Sequence, residues 1–140
     1  MYPDNKKDGV IEKQKTILVV DDDRNIVRFA EVLLEKNGFS VITANDGSYA
    51  LEKVLREKPD LVLLDIDMPE MNGFEVLERM KQNPATKRIP VIMLTARSDA
   101  GTFEKAVEND ADRYVSKPFD NKFLLEKIQQ VLEEYEEKYR

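Results

Sequence analysis

From Thr16 onward the hydrophobic positions fall into two alternating kinds of segment. Short apolar runs occur at Ile17–Val20, Val41–Thr43, Leu61–Leu64, Val91–Leu94 and Tyr114–Val115. Between them, apolar residues recur at helical spacing: Ile26, Ala30 and Leu33; Ala50, Leu51, Val54 and Leu55; Phe74, Leu77 and Met80; Phe103, Ala106 and Val107; and Leu124, Ile128, Val131 and Tyr135. Short continuous runs predict strands, and a spacing of three to four residues predicts amphipathic helices. The breaks carry matching punctuation. Gly38 is a glycine stop for the first helix. Pro59-Asp60 closes the second, Asn83-Pro84 lies in a loop, and Pro90 precedes the fourth strand.

This is a (βα)5 alternation. Strands apolar on both faces imply a parallel sheet with helices on both sides, and right-handed crossovers make it doubly wound. The chain of 140 residues has the size of one domain. Residues 1–15 are polar and aperiodic and read as a flexible tail, which leaves 16–140 as a single α/β domain.

Composition narrows the chemistry. The net charge of −6, from 22 basic and 28 acidic residues, disfavours direct nucleic-acid binding. The chain has no cysteine and no histidine. That excludes disulfides, thiolate chemistry and a phosphohistidine of its own, and removes the commonest general base. No apolar run is long enough for a membrane span, and the first residues lack the apolar core of a signal peptide. A cytoplasmic location is the default expectation.

In open α/β sheets, ligands bind beyond the carboxyl ends of the strands. Asp21-Asp22-Asp23 follows the first run, Asp65-Ile66-Asp67 the third, Thr95 the fourth, and Ser116-Lys117-Pro118 the fifth. The second run, with Thr43-Ala44-Asn45, offers nothing sharper. A single aspartate after a strand is usually a turn residue or helix cap. Several at one edge repel each other, by roughly 4 kcal/mol for a pair about 4 Å apart at an effective dielectric of 20. Such a cluster calls for a cation, and an all-oxygen donor set without His or Cys suits Mg²⁺ or a similar hard ion such as Mn²⁺.

Four separated motifs, VVDDD at 19–23, LVLLDIDMPEMNGFEVL at 61–77, PVIMLTA at 90–96 and YVSKPF at 114–119, together resemble the receiver domain of two-component response regulators. The resemblance covers residues 16 to about 136 in order and spacing. It implies a flavodoxin-like fold with strand order 2-1-3-4-5. It implies that Asp65 is the phosphoacceptor, taking its phosphoryl group from a sensor histidine kinase or histidine phosphotransfer protein. Asp22, Asp65 and the backbone carbonyl of Asp67 would hold Mg²⁺, with Asp21 acting through water. Thr95, Ala96 and Lys117 would bind the phosphoryl group, and the Lys117-Pro118 bond resembles one that is cis in this family. Thr95 and Tyr114 would form the switch, Asp67 and Arg97 would tune self-dephosphorylation, and Ile26 and Phe29 match a kinase-docking surface.

A carboxylate nucleophile needs no general base near neutral pH, so the missing histidine is no obstacle. Asp110 stands where many family members have a glycine. The last helical stripe, Leu124 to Tyr135, offers a candidate seam for a phosphorylation-dependent dimer, although packing on the sheet is the commoner use. The output would be a downstream protein target or an output domain missing from this chain. Two other readings compete. Asp65-Ile66-Asp67 also matches the start of haloacid-dehalogenase-like phosphatases, but Met68-Pro69 follows it and the acidic pair comes early, at 21–22. A receiver-like module that is never phosphorylated would normally have lost the acceptor, the acid pair or the lysine, all of which are present.

Overall fold

A computed structural model describes residues 6–7, 10–11, 14–96, 100–108 and 111–139. Five parallel strands, β1 (Thr16–Val20), β2 (Ser40–Ala44), β3 (Leu61–Asp65), β4 (Val91–Thr95) and β5 (Arg113–Ser116), form one sheet in the order β2-β1-β3-β4-β5. Helices α1 (Arg24–Lys36), α2 (Gly47–Glu57), α3 (Gly73–Gln82), α4 (Ala100–Glu108) and α5 (Asn121–Lys138) connect and follow them. This is the doubly wound, flavodoxin-like order expected from the alternation. Within the stretch read as a flexible tail, Lys6–Lys7 and Val10–Ile11 pair antiparallel, a local pairing that the aperiodic sequence does not announce. No helix among the described residues is long and apolar enough to cross a membrane.

Alternation along the strands divides the core in two. Ile17, Val19, Leu61, Leu63, Ile92 and Leu94 pack with Ala30 and Leu34 of α1 and with Leu124, Ile128 and Val131 of α5. Leu18, Val20, Val62, Leu64 and Met93 pack on the other face with Ala50 and Val54 of α2 and with Phe74, Val76, Leu77 and Met80 of α3. Both faces of the central strands are buried, as a parallel sheet requires. Each large side chain taken fully out of water contributes about 1.5–3 kcal/mol.

Some details depart from the expectation and others meet it. Leu34, outside the expected α1 stripe, is fully buried, whereas Leu55 of the α2 stripe is 47% exposed. Helix α2 ends in a left-handed residue at Lys58 (φ 47°), one place before Pro59. Gly38 (φ 91°) follows the Asn37 cap of α1, where a left-handed conformation favours glycine. Leu124, Ile128 and Val131 are wholly buried against the sheet, so the candidate dimer seam is consumed by the core. The side chains of Phe103, Ala106 and Val107, together with Arg97, Asn109 and Asp110, lie outside the described residues.

Candidate functional site

The sheet register brings the ends of four strands to one edge. Val20 lies opposite Leu64, Asp65 opposite Leu94, and Thr95 opposite Ser116. The next residues therefore converge, and Asp21 meets Lys117 across 96 positions of sequence. Asp23 caps α1, its side chain accepting from Asn25 N–H at 2.9 Å, which turns the chain sharply after the acid pair.

Asp21, Asp65 and Thr95 are buried, and Asp22 is exposed. Carboxylate oxygens of Asp21, Asp22 and Asp65 all lie within 4.8 Å of one another. Lys117 Nζ donates to Asp21 Oδ2 at 2.6 Å and to Asp65 Oδ1 at 3.1 Å. The sequence-based expectation paired Lys117 with Asp65; the structure adds Asp21, at the shorter distance. Asp21 Oδ1 also accepts from Asp23 N–H at 2.9 Å, so both Asp21 oxygens are held. Asp65 engages Lys117 through Oδ1. The Lys117-Pro118 peptide bond is cis.

Burial, reinforced by the charge of Asp21 and slightly by that of Asp22, pushes the Asp65 carboxyl up to about 6 against the pull of Lys117. For Lys117, burial disfavours the ammonium, but the hydrogen bonds to Asp21 and Asp65 and their charges outweigh it, and its pKa is raised. The ammonium is therefore a fixed positive charge among three carboxylates. One lysine offsets only part of their repulsion, and the oxygen-only donor set has room for a small hard cation.

Asp67 and Ala96 are exposed beside this cluster. Tyr114 is partly buried against the α2–α3 core layer. On α1, Ile26 is half-buried and Phe29 is 52% exposed, its ring 5.9 Å from that of Phe119. A cleft of about 440 Å³ runs beside Phe29, Val32 and Leu33 to Asn121 at the start of α5; Ile26 does not line it. Sequence reasoning missed the double engagement of Lys117, which depends on a tertiary juxtaposition. It also missed the start of α3, where Asn72 accepts from Glu75 N–H at 3.0 Å and the Glu75 carboxylate reaches back to Asn72 N–H. The Asn-x-x-Glu spacing is the signal that could have found that cap.

Residues 17–129 match the family described as "Response regulator receiver domain". The chain is 39% identical over 118 residues to the alkaline phosphatase synthesis transcriptional regulatory protein PhoP of Bacillus subtilis, covering 84% of this chain and 48% of that protein. It is 43% identical over 116 residues to the transcriptional regulatory protein CpxR of Escherichia coli, covering 83% of this chain and 48% of CpxR. The chain thus spans about half the length of these curated relatives. A crystal structure of a CheY-like response regulator receiver domain protein from Methanospirillum hungatei superposes with a TM-score of 0.83 at 35% identity, covering 90% of this chain and 99% of that one. The shared fold, the converging acidic edge and the match over most of the chain lead to one assignment: the chain belongs to the response regulator receiver domain family.

Proposed function

We propose that this receiver domain is a phosphorylation-activated switch in which Asp65 takes a phosphoryl group from the phosphohistidine of a sensor histidine kinase or histidine phosphotransfer protein. The observation that carries this reading is the buried Asp65 carboxylate held by Lys117 beside two further carboxylates at the open edge of the sheet. An Asp65 carboxylate oxygen attacks phosphorus, the nitrogen–phosphorus bond breaks, and the histidine leaves with its electron pair. With its pKa at about 6, Asp65 is mostly ionised at neutral pH and needs no base.

Phosphoryl transfer asks chiefly for positioning and charge neutralisation. Asp22, Asp65 and the Asp67 backbone carbonyl are the residues that would hold Mg²⁺ or Mn²⁺. Asp21, with both oxygens already engaged, would act through water. A divalent cation bound there supplies neutralisation of the phosphoryl oxygens. Lys117 keeps Asp65 in place and turns its N–H to the phosphoryl group after transfer. The Thr95 hydroxyl and Ala96 N–H bind phosphoryl oxygens. Drawing Thr95 toward the phosphoryl group biases Tyr114 and the α4–β5–α5 face between two pre-existing states. Asp67 and Arg97 are the residues assigned to tuning the lifetime of the signal. Phe29 and its cleft receive the kinase, with Ile26 less directly involved. The target is a downstream protein or an output domain of the same protein, in the cytoplasm. A phosphorylation-dependent dimer would need a surface other than the buried α5 stripe.

The haloacid-dehalogenase-like alternative names a different family and falls with the family match. The never-phosphorylated module lies within the receiver family and is separated by experiment. Incubation with acetyl phosphate and Mg²⁺ is expected to add one phosphoryl group per chain to the native protein and none to Asp65→Asn. No labelling of the native protein by acetyl phosphate or by any phosphohistidine donor would favour the unphosphorylated module.

A further inference from the structure

The acceptor sits on a backbone enclosed from two sides. Asp65 is the last residue of β3, and Ile66 N–H donates onward to Leu94 O of β4 at 3.3 Å. On the other side lies the first residue of α3. Gly73 N–H donates to Ile66 O at 2.8 Å. A Cβ placed on Gly73 would fall 2.2 Å from the carbonyl oxygen of Asp65, 2.9 Å from Ile66 Cα and 3.0 Å from the Asp65 carbonyl carbon. All three are backbone atoms, so no rotamer change can relieve the overlap.

Neither side can yield easily. The strand is paired with β1 and β4. Helix α3 is anchored by buried Phe74, Val76, Leu77 and Met80, and its first turn is closed by the Asn72–Glu75 capping box. Gly73 needs no unusual backbone conformation, so the glycine is there for proximity. The three nearest atoms all belong to the backbone of Asp65 and Ile66, the unit that carries the acceptor and leads to the Asp67 carbonyl.

We propose that Gly73 is a positioning residue for phosphoryl acceptance: the bare start of α3 presses on the Asp65–Ile66 backbone and sets where the Asp65 carboxylate meets Asp21, Asp22 and Lys117. This rests on Asp65 being the acceptor. A methyl group at 73 would push the 65–67 backbone out of register with the acidic pair on β1. Displacements near 1 Å at a reacting centre can cost about a hundredfold in rate.

The test compares Gly73→Ala with Val54→Ala, a core truncation on α2 that destabilises the same layer without touching Asp65. Each is labelled with acetyl phosphate over a Mg²⁺ titration, at a temperature where circular dichroism shows both folded. Gly73→Ala is expected to lower the labelling rate by about tenfold or more and raise the Mg²⁺ midpoint, since it displaces the ligand set. Val54→Ala should keep the native rate and midpoint. A folded Gly73→Ala protein with native rate and midpoint would overturn the proposal.

If Gly73→Ala does not fold, Asn72→Ala decides. It removes the cap that seats Gly73, and it should raise the Mg²⁺ midpoint in a folded protein; an unchanged midpoint would refute the inference. Asp65→Asn runs alongside: if it labels like the native protein, the acceptor assignment has failed, whatever Gly73 does.

Discussion

The two ends of the sheet use aspartate in opposite ways. At the amino end, Asp60 Oδ2 accepts from Thr16 N–H at 2.7 Å, at the start of β1. Asp112 is fully spent: Oδ2 accepts from Val91 N–H at 2.8 Å and Oδ1 from the Tyr135 hydroxyl at 2.8 Å. These carboxylates satisfy strand starts and tie α5 to β4. At the carboxyl end, Asp21, Asp22 and Asp65 face one another, and one lysine serves two of them. Among the described residues, Asp60 and Asp112 have no other carboxylate beside them in this role, and their part is structural. Carboxylates that face each other at an open edge represent repulsion retained in the fold, and such retained repulsion marks a candidate site for a cation.

The contrast breaks most sharply at Asp22. Asp22→Ala removes a proposed direct donor, so labelling by acetyl phosphate and Mg²⁺ affinity should fall together, by at least about tenfold. Asp21→Ala should be milder in both, because its proposed contact with the cation would run through water. Equal and small effects from the two would refute the site as drawn. In metal-free buffer the order reverses: Asp22→Ala should melt slightly above the native protein, because a like charge is gone.

Acidity gives the next largest effect. The folded pKa of Asp65, about 6, lies above its ordinary 3.8, so between these values the folded chain binds more protons than the unfolded one. The ionised group therefore costs stability as pH rises through this window, on the order of 2–3 kcal/mol when fully charged. Asp65→Asn should accordingly gain stability over the native protein at pH 7 and lose that advantage near pH 4, as read by urea denaturation without metal. Labelling, which needs the carboxylate, should fall as acid protonates Asp65. A stability difference independent of pH would show that Asp65 is not perturbed.

The smallest effect belongs to the opposite edge. Asp112→Ala removes the carboxylate that accepts from Val91 N–H and the Tyr135 hydroxyl, and should cost about 1–3 kcal/mol of stability. Its labelling rate and Mg²⁺ midpoint should stay native. A loss of labelling in that variant would erase the distinction between the two ends.

Much of this contrast was legible in the sequence. The alternation of runs and stripes requires the (βα)5 order, and aspartates placed directly after the first and third apolar runs must share an edge once those strands are parallel. What was hidden depends on partners far away in the chain. Asp60 looked like a turn residue because its partner, Thr16, lies 44 positions earlier. Leu55 looked like core because helical spacing does not tell how wide the buried stripe will be. Val41–Thr43 resembles the other apolar runs, yet β2 is only half-buried, since its position at the sheet edge is a property of topology. Gly73 stood inside a quoted motif without a role, because its closeness to Asp65 appears only when α3 folds back onto β3.

The central claim is that the retained repulsion at the carboxyl edge serves a phosphoryl acceptor. The most direct measurement is to label the native protein with acetyl phosphate and Mg²⁺, trap the acyl phosphate by borohydride reduction, and map the modified residue by peptide mass spectrometry. The account predicts a single Mg²⁺-dependent modification at Asp65, converted to homoserine by the reduction. Modification at any other residue, or at Asp65 equally without a divalent cation, would contradict it.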